Sequence, residues 1–425
     1  MSSGARREGL IVLVASFAGH AGNYLFYLIA ARMVTPPEFA AISALIAFGT
    51  IVSMAVNGIQ VAAARDVAVL RTSGTPAELS GYLRKLGRRM GLVSLAIAVV
   101  LSGLAPLLAD RLNIGAAQPV VFAAVWVATT ALLLVITGVA QGTERFRYVA
   151  FALAGPLGAL RPVLLPVFVL VAGMSGSMVA MLAATLVGLA VMAPPVVRDM
   201  RVPPVAPPPM PSTIVTMIGL LAFSSLTNVD LLVAQAMLPE VERAHYAGAV
   251  LLGKVALFAP SALAMVLLPR AAAALERGER ADSLVLKTMA MTAASGLAVA
   301  LGLWLVPTAL LTGTFGPAYA ESKPLLAPLA LVMTAAAVLW VHLMFAIAKK
   351  STRMVVGLVG TAVVHWALLA FLHDSAQHIV VASAIAIGSA VLAIEFLSGD
   401  GVLRMVLNAR RAGRDIPAAT TTSTG

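Results

Sequence analysis

The sequence predicts an all-α polytopic membrane protein of about twelve transmembrane helices arranged in two halves. Three observations carry that expectation. Hydrophobic residues make up 60% of the 425-residue chain and charged residues only 11%, with a mean hydropathy of +0.97. A soluble domain usually carries about 25% charge, so this chain cannot cover a water-facing surface. It also lacks the low hydrophobicity and high charge of a disordered chain. The apolar residues fall in stretches of about 20, the length that spans a bilayer as a helix. The basic residues cluster in every second loop between those stretches.

The first stretch runs from about Leu10 to Ala31, behind Arg6 and Arg7. It is too long for the apolar region of a signal peptide and is followed by many more spans, so it reads as the first transmembrane helix. The next five fall near Phe39–Val61, Gly91–Leu108, Ala117–Val139, Tyr148–Val171 and Ser177–Val197. A second group falls near Thr213–Leu238, Gly248–Leu268, Val285–Val306, Leu325–Ala348, Met354–Leu372 and Ile379–Leu397.

Loop charge sets the expected orientation. With both termini inside, 23 of the 29 Lys and Arg residues fall to the inner face. The outer loops hold four, Arg32, Arg111, Arg243 and Lys323, while Arg161 and Lys254 lie inside spans. Such a bias marks the cytoplasmic side of a membrane protein. It accounts for the net charge of +11 through contact with anionic lipid headgroups. The basic residues are scattered among short loops, which speaks against nucleic-acid binding.

The segment Arg198–Ser212, RDMRVPPVAPPPMPS, has six prolines in fifteen residues. Proline-rich sequence favours an extended polyproline strap. The expected organisation is therefore an N-terminal lobe over residues 1–197, a cytoplasmic linker over 198–212, a C-terminal lobe over 213–398 and a cytoplasmic tail over 399–425 that is partly disordered. A loose internal repeat agrees: Asn23 and Asn228 are 205 apart, as are Arg65 and Arg270, and Glu38 and Glu240 are 202 apart. Parallel repeats place two bundles about an axis normal to the membrane with a cleft between them.

Polar residues inside spans are the candidate functional residues, because burying them in lipid is costly. Arg161 lies near mid-depth of the fifth span, between Pro156, Pro162 and Pro166. Its planar donor fork suits a diphosphate; the alternatives are a structural interhelical pair or a snorkelling side chain. Asp230 and Lys254 sit at similar depths in the seventh and eighth spans, where a buried ion pair is one reading. The other makes Asp230, with Asn228 and Thr227, a coupling site for Na⁺ or H⁺ and makes Lys254 a phosphate contact. His20 and Asn23, three apart on one helical face, border the cleft, with Asn23 a candidate substrate contact and His20 a packing residue. His342, His365, Trp304, Trp340 and Trp366 read as packing or interfacial residues.

Enzymatic chemistry finds no motif. There is no cysteine, no GxxxxGK[ST] loop for ATP and no HExxH. The long acid-bearing loops of polytopic glycan enzymes are missing as well. No cofactor is expected beyond a coupling Na⁺ or H⁺.

Three segments resemble a known family. RMVTPPEFAAISAL (Arg32–Leu45), the stretch Thr227–Arg270 and FGPAY (Phe315–Tyr319) are similar to the polysaccharide transporter branch of the multidrug/oligosaccharidyl-lipid/polysaccharide exporter superfamily. The resemblance implies two six-helix lobes enclosing a V-shaped central cleft, with alternating access. It implies a polyprenyl-diphosphate-linked glycan as substrate, moved across the cytoplasmic membrane, with membrane lipids and the proteins of envelope glycan synthesis as partners. A cation-coupled exporter of small molecules is the alternative. Twelve spans depart from the lipid II flippases, which have two more.

Overall fold

A computed structural model describes residues 3–258, 282–349 and 351–395, with residues 401 and 406. Among them all regular structure is helical. The N-terminal half contains α1 (Ser3–Met33), α2 (Pro36–Ser73), α3 (Pro76–Gly103), the short α4 (Ala105–Arg111), α5 (Gln118–Gly142), α6 (Phe146–Ala154) and α7 (Leu160–Asp199). A π-turn, Gly155–Ala159, joins α6 to α7. The C-terminal half contains α8 (Ile214–Met237), α9 (Glu240–Gly253), α10 (Val255–Phe258), α11 (Asp282–Leu305), α12 (Thr308–Phe315), α13 (Lys323–Ala348), α14 (Thr352–Phe371) and α15 (Ala376–Ala393). Nine helical segments among the described residues are long and apolar enough to cross a membrane. Helix is found in each expected span among the described residues, the eighth as far as Phe258 and the twelfth as far as residue 395. Arg270 and nearly all of the 399–425 tail lie outside the described residues.

Several boundaries differ from those expected. Residues 62–90 read as a long loop, yet α2 continues to Ser73 and α3 begins at Pro76. Local caps explain this. The Glu78 carboxylate accepts from the Thr75 N–H at 2.7 Å, and the Thr75 hydroxyl accepts from the Glu78 N–H at 3.2 Å. Glu38 likewise accepts from the Thr35 N–H at 2.8 Å at the start of α2. This reciprocal pairing satisfies backbone donors that a helix start leaves orphaned. Hydropathy reports where lipid ends, and these caps report where helices end.

The fifth and sixth spans meet inside α7 at Ala172–Gly173, where Gly173 has φ +55° and ψ −136°. The chain reverses there. A Cβ at Gly176 would lie 2.0 Å from the Phe168 carbonyl, whereas eight residues of straight helix separate two positions by about 12 Å. Only a glycine turn allows so close an approach.

Helices of each half pack mainly on one another: α5 on α2, α3 and α7 in the first half, α13 on α9, α11 and α15 in the second. The seam between halves is α2 against α8 and α9. Aromatic contacts stitch it, with Phe39 of α2 edge-on to Tyr319 at 5.6 Å. Outward-facing rows such as Leu92, Leu95 and Val99 on α3 and Val163, Val167 and Leu170 on α7 are exposed, as lipid-facing helix surfaces require.

The proline-rich segment carries no helix from residue 203 to 213, in keeping with an extended strap. It lies along the start of α3. The Ser80 hydroxyl donates to the Met200 and Val202 carbonyls at 3.1 and 2.7 Å, and the Val205 N–H donates to the Ala77 carbonyl at 3.0 Å. Arg145 anchors its root through a two-point ion pair to Asp199 at 2.7 and 2.9 Å.

Candidate functional site

A cavity of about 830 Å³ opens between α1, α2, α5, α7, α8 and α9. Its lining joins both halves, with Asn23, Arg161, Asn228 and Lys254 all facing it. Four of the residues singled out from the sequence therefore converge, while Thr227 and Asp230 do not line the cavity. Arg161 and Lys254 are the only Lys or Arg among the described lining residues, and no carboxylate lines the cavity there.

Arg161 enters at the first turn of α7, immediately after the π-turn that contains Pro156. A π-turn adds a residue to the local repeat and so rotates the side chains of the next helical turn. The guanidinium carbon lies 5.8 Å from the centre of the Trp126 ring, within cation–π range. Arg161 is only 8% exposed, and its Nε and the Trp126 Nε1 make no hydrogen bond. No acidic partner lies within ion-pair distance among the described residues, so none of them supplies the structural ion pair. Arg161 thus borders the cavity as a cation with no described acidic partner, an arrangement that suits an anionic ligand.

Lys254 sits at the bend between α9 and α10, and its Nζ donates to the Asn228 Oδ1 at 2.7 Å. Asn228 is itself oriented by its amide, which donates to the Ser224 carbonyl at 2.9 Å and the Thr227 hydroxyl at 3.1 Å. Asp230 does not pair with Lys254. It is 1% exposed, and its Oδ2 accepts from the Tyr246 hydroxyl at 2.8 Å while its Oδ1 has no donor. The reason is helical geometry. Residues two apart on a helix point about 200° away from each other, so Asn228 faces the cavity and Asp230 faces the interior of its own half. Of the readings open from the sequence, the direct ion pair is not seen: Lys254 meets Asn228 and Asp230 meets Tyr246 in two separate contacts.

On α1, His20 stacks on Phe258 at 5.3 Å, and the Tyr24 hydroxyl donates to the Leu251 carbonyl at 3.1 Å. His20 thus borders the cavity as well as packing. The α1 backbone comes close to the π-turn because Gly22 abuts Gly158: a Cβ at Gly22 would lie 2.5 Å from the Gly158 carbonyl carbon. His342 and His365 are buried and do not line the cavity, His365 meeting the Ser383 hydroxyl at 3.1 Å. Trp126, Tyr24, Tyr27, Asn57, Gln60 and Gln141 also line it and were missed in the sequence. A lone tryptophan in the first half and three amides in apolar helices were the available signals.

The end of the molecule opposite the linker is tied across the halves. Arg32 Nε donates to the Thr314 carbonyl at 2.8 Å, and its Nη2 donates to the Gly313 carbonyl. Asn113 donates to the Ala236 carbonyl and Gln235 to the Leu112 carbonyl, each at 2.9 Å. The cavity reaches instead toward the linker end, to Gln60 and Gln141.

No protein-family model and no curated protein matches the sequence. The fold does match solved structures. A multidrug resistance MATE family transporter of the MOP superfamily in its inward-facing conformation superposes with a TM-score of 0.69, at 14% identity over 96% of this chain and 99% of that one. The outward-facing conformation of such a transporter gives 0.63, at 14% identity and 96% coverage of both chains. The lipid II flippase MurJ, inward closed, gives 0.67 at 11% identity, over 95% of this chain and 91% of that one. The chain therefore has the fold of these membrane transporters.

Proposed function

We propose that the protein is an alternating-access transporter of a lipid-linked anionic substrate, a polyprenyl-diphosphate-linked glycan, across the cytoplasmic membrane. One observation carries this reading: a central cavity whose described lining holds two buried cations, Arg161 and Lys254, and no carboxylate. A pocket for cationic drugs would need the opposite polarity. In this reading Arg161 grips the diphosphate with its fork, Lys254 adds a point charge, and Asn23 adds an amide from α1. The termini and the linker face the cytoplasm, residues 1–197 and 213–398 act as two lobes, and the cavity takes its substrate from the linker side.

The likeness to transporters supports the transport step and speaks for no reaction of an enzyme. A second reading, a cation-coupled small-molecule exporter, draws on the buried Asp230, whose unpartnered Oδ1 offers a seat for H⁺ or Na⁺. The two readings combine if Asp230 couples the transport of the anionic substrate.

The test is flipping of a fluorescent polyprenyl-diphosphate oligosaccharide in proteoliposomes. Arg161→Ala is expected to lose most activity at normal abundance, and Arg161→Lys to retain an intermediate rate, because it keeps charge without the fork. Unchanged flipping by well-folded Arg161→Ala removes the residue from the mechanism. Wild type that flips no glycan lipid but exports cationic dyes establishes the second reading.

A further inference from the structure

The cavity has a second, chemically distinct region. Asn57 and Gln60 of α2 and Gln141 of α5 line its linker end. Their position comes from a close helix crossing. A Cβ at Gly138 would lie 2.3 Å from the Gln60 carbonyl oxygen, and one at Gly142 would lie 2.4 Å from the Ala64 carbonyl oxygen. The four-residue spacing puts both glycines on one face of α5, the small-xxx-small arrangement that lets membrane helices touch backbone to backbone. Gln60 and Gln141 are thereby brought together, with Gln60 Nε2 only 3.4 Å from Gln141 Oε1. Asn57, three residues before Gln60, lies on the same face of α2.

These amides are under-used. The Gln60–Gln141 contact is at the long limit of a hydrogen bond, and the Asn57 amide donates only to the Met54 sulfur, at 3.1 Å, a weak acceptor. Each can both donate and accept, as a sugar hydroxyl can. The region holds no charge among its described residues, since the two cations lie farther in. Trp126, beside Arg161, and Gln141 are fifteen residues apart on α5, about 22 Å along the helix. An extended ligand anchored at Arg161 therefore has its remote part beside the amides.

We propose that Asn57, Gln60 and Gln141 form a subsite for uncharged, hydroxyl-rich sugars of the lipid-linked glycan, so that the protein selects neutral glycans over those bearing uronic acids. This rests on the reading of the substrate as a polyprenyl-diphosphate glycan. Among the described lining residues, a carboxylate-bearing sugar would lose hydration at this wall without meeting a cation, and a cationic sugar would meet no anion.

The test measures binding to the protein in nanodiscs with three probes: bare polyprenyl diphosphate, the same lipid with a neutral hexose oligosaccharide, and the same lipid with a hexuronic acid. Wild type is expected to bind the neutral glycan lipid roughly tenfold more tightly than the bare lipid, the increment of two or three neutral hydrogen bonds. The Gln60→Leu/Gln141→Leu double variant should lose that increment and bind the bare lipid as wild type does, which also reports that it is folded. Gln60→Lys should shift preference toward the hexuronic lipid. Arg161→Ala should weaken all three probes alike. A double variant that keeps the neutral-glycan increment overturns the subsite, as does wild type that binds bare and glycosylated lipids equally. Wild type that binds none of the three overturns the substrate reading and the subsite with it.

Discussion

Replacing Arg32 with Gln should loosen the end of the molecule opposite the linker. Arg32 of α1 reaches into the other half and donates to the carbonyls of Gly313 and Thr314, in the last turn of α12. Those carbonyls have few partners within their own helix, and a cation there also meets the negative end of the helix dipole. A charged hydrogen bond is worth about 1.5–3 kcal/mol when sheltered. Arg32 is exposed, so screening reduces its two bonds to about 1 kcal/mol together. At 1.4 kcal/mol per tenfold, the ratio of closed to open forms should fall about fivefold. The chain has no cysteine, so Ser43→Cys supplies a single reporter. Ser43 lines the cavity and is buried, seven residues into α2, about 10 Å from its start. A membrane-impermeant thiol reagent applied only from the side of the α1–α2 turn should label it about fivefold faster in the Arg32→Gln background. An unchanged rate would show that Arg32 does not hold this end shut. The Asn113–Ala236 and Gln235–Leu112 contacts would then carry the closure of this end.

Three further outcomes rest on the geometry. In a double-mutant cycle read by unfolding in mild detergent, Lys254→Met and Asn228→Leu should couple by about 1.5–3 kcal/mol, the value of a buried charged hydrogen bond. The Lys254→Met and Asp230→Asn pair should couple far less, and strong coupling there would restore the direct ion pair. Gly142→Leu should cost about 1–3 kcal/mol through overpacking and lower the thermal midpoint, because a Cβ there already meets the Ala64 carbonyl; an unchanged midpoint would mean that α2 and α5 separate without cost. Reporter fusions should place Ser212 in the cytoplasm and Pro36 outside, and an external signal at Ser212 would reverse the orientation inferred from loop charge.

The amino-acid sequence alone determined that the chain is a bundle of apolar helices, since an apolar segment of that length satisfies its backbone inside lipid by forming a helix. It also marked Arg161, Lys254, Asp230 and Asn228, because a polar group among twenty apolar neighbours stands out by its cost. Even the cap at Thr75–Glu78 was legible as a TxxE pattern, although the long loop expected there passed over it. The sequence did not determine which way each helix faces. In a membrane, the side of a helix touching lipid and the side touching protein are both apolar, so hydropathy carries little rotational information. Only tertiary structure decided that Asn228 turns to Lys254 while Asp230, two residues on, turns to Tyr246. It likewise seated Trp126 beside Arg161. Gly138 read as an ordinary span residue and Gly142 fell beyond the expected end of its span, until α2 lay against both. Their missing side chains let two backbones meet and carry Gln60 and Gln141 to one wall of the cavity. That proximity depends on helix rotation and crossing, which are settled by packing between segments far apart in the chain.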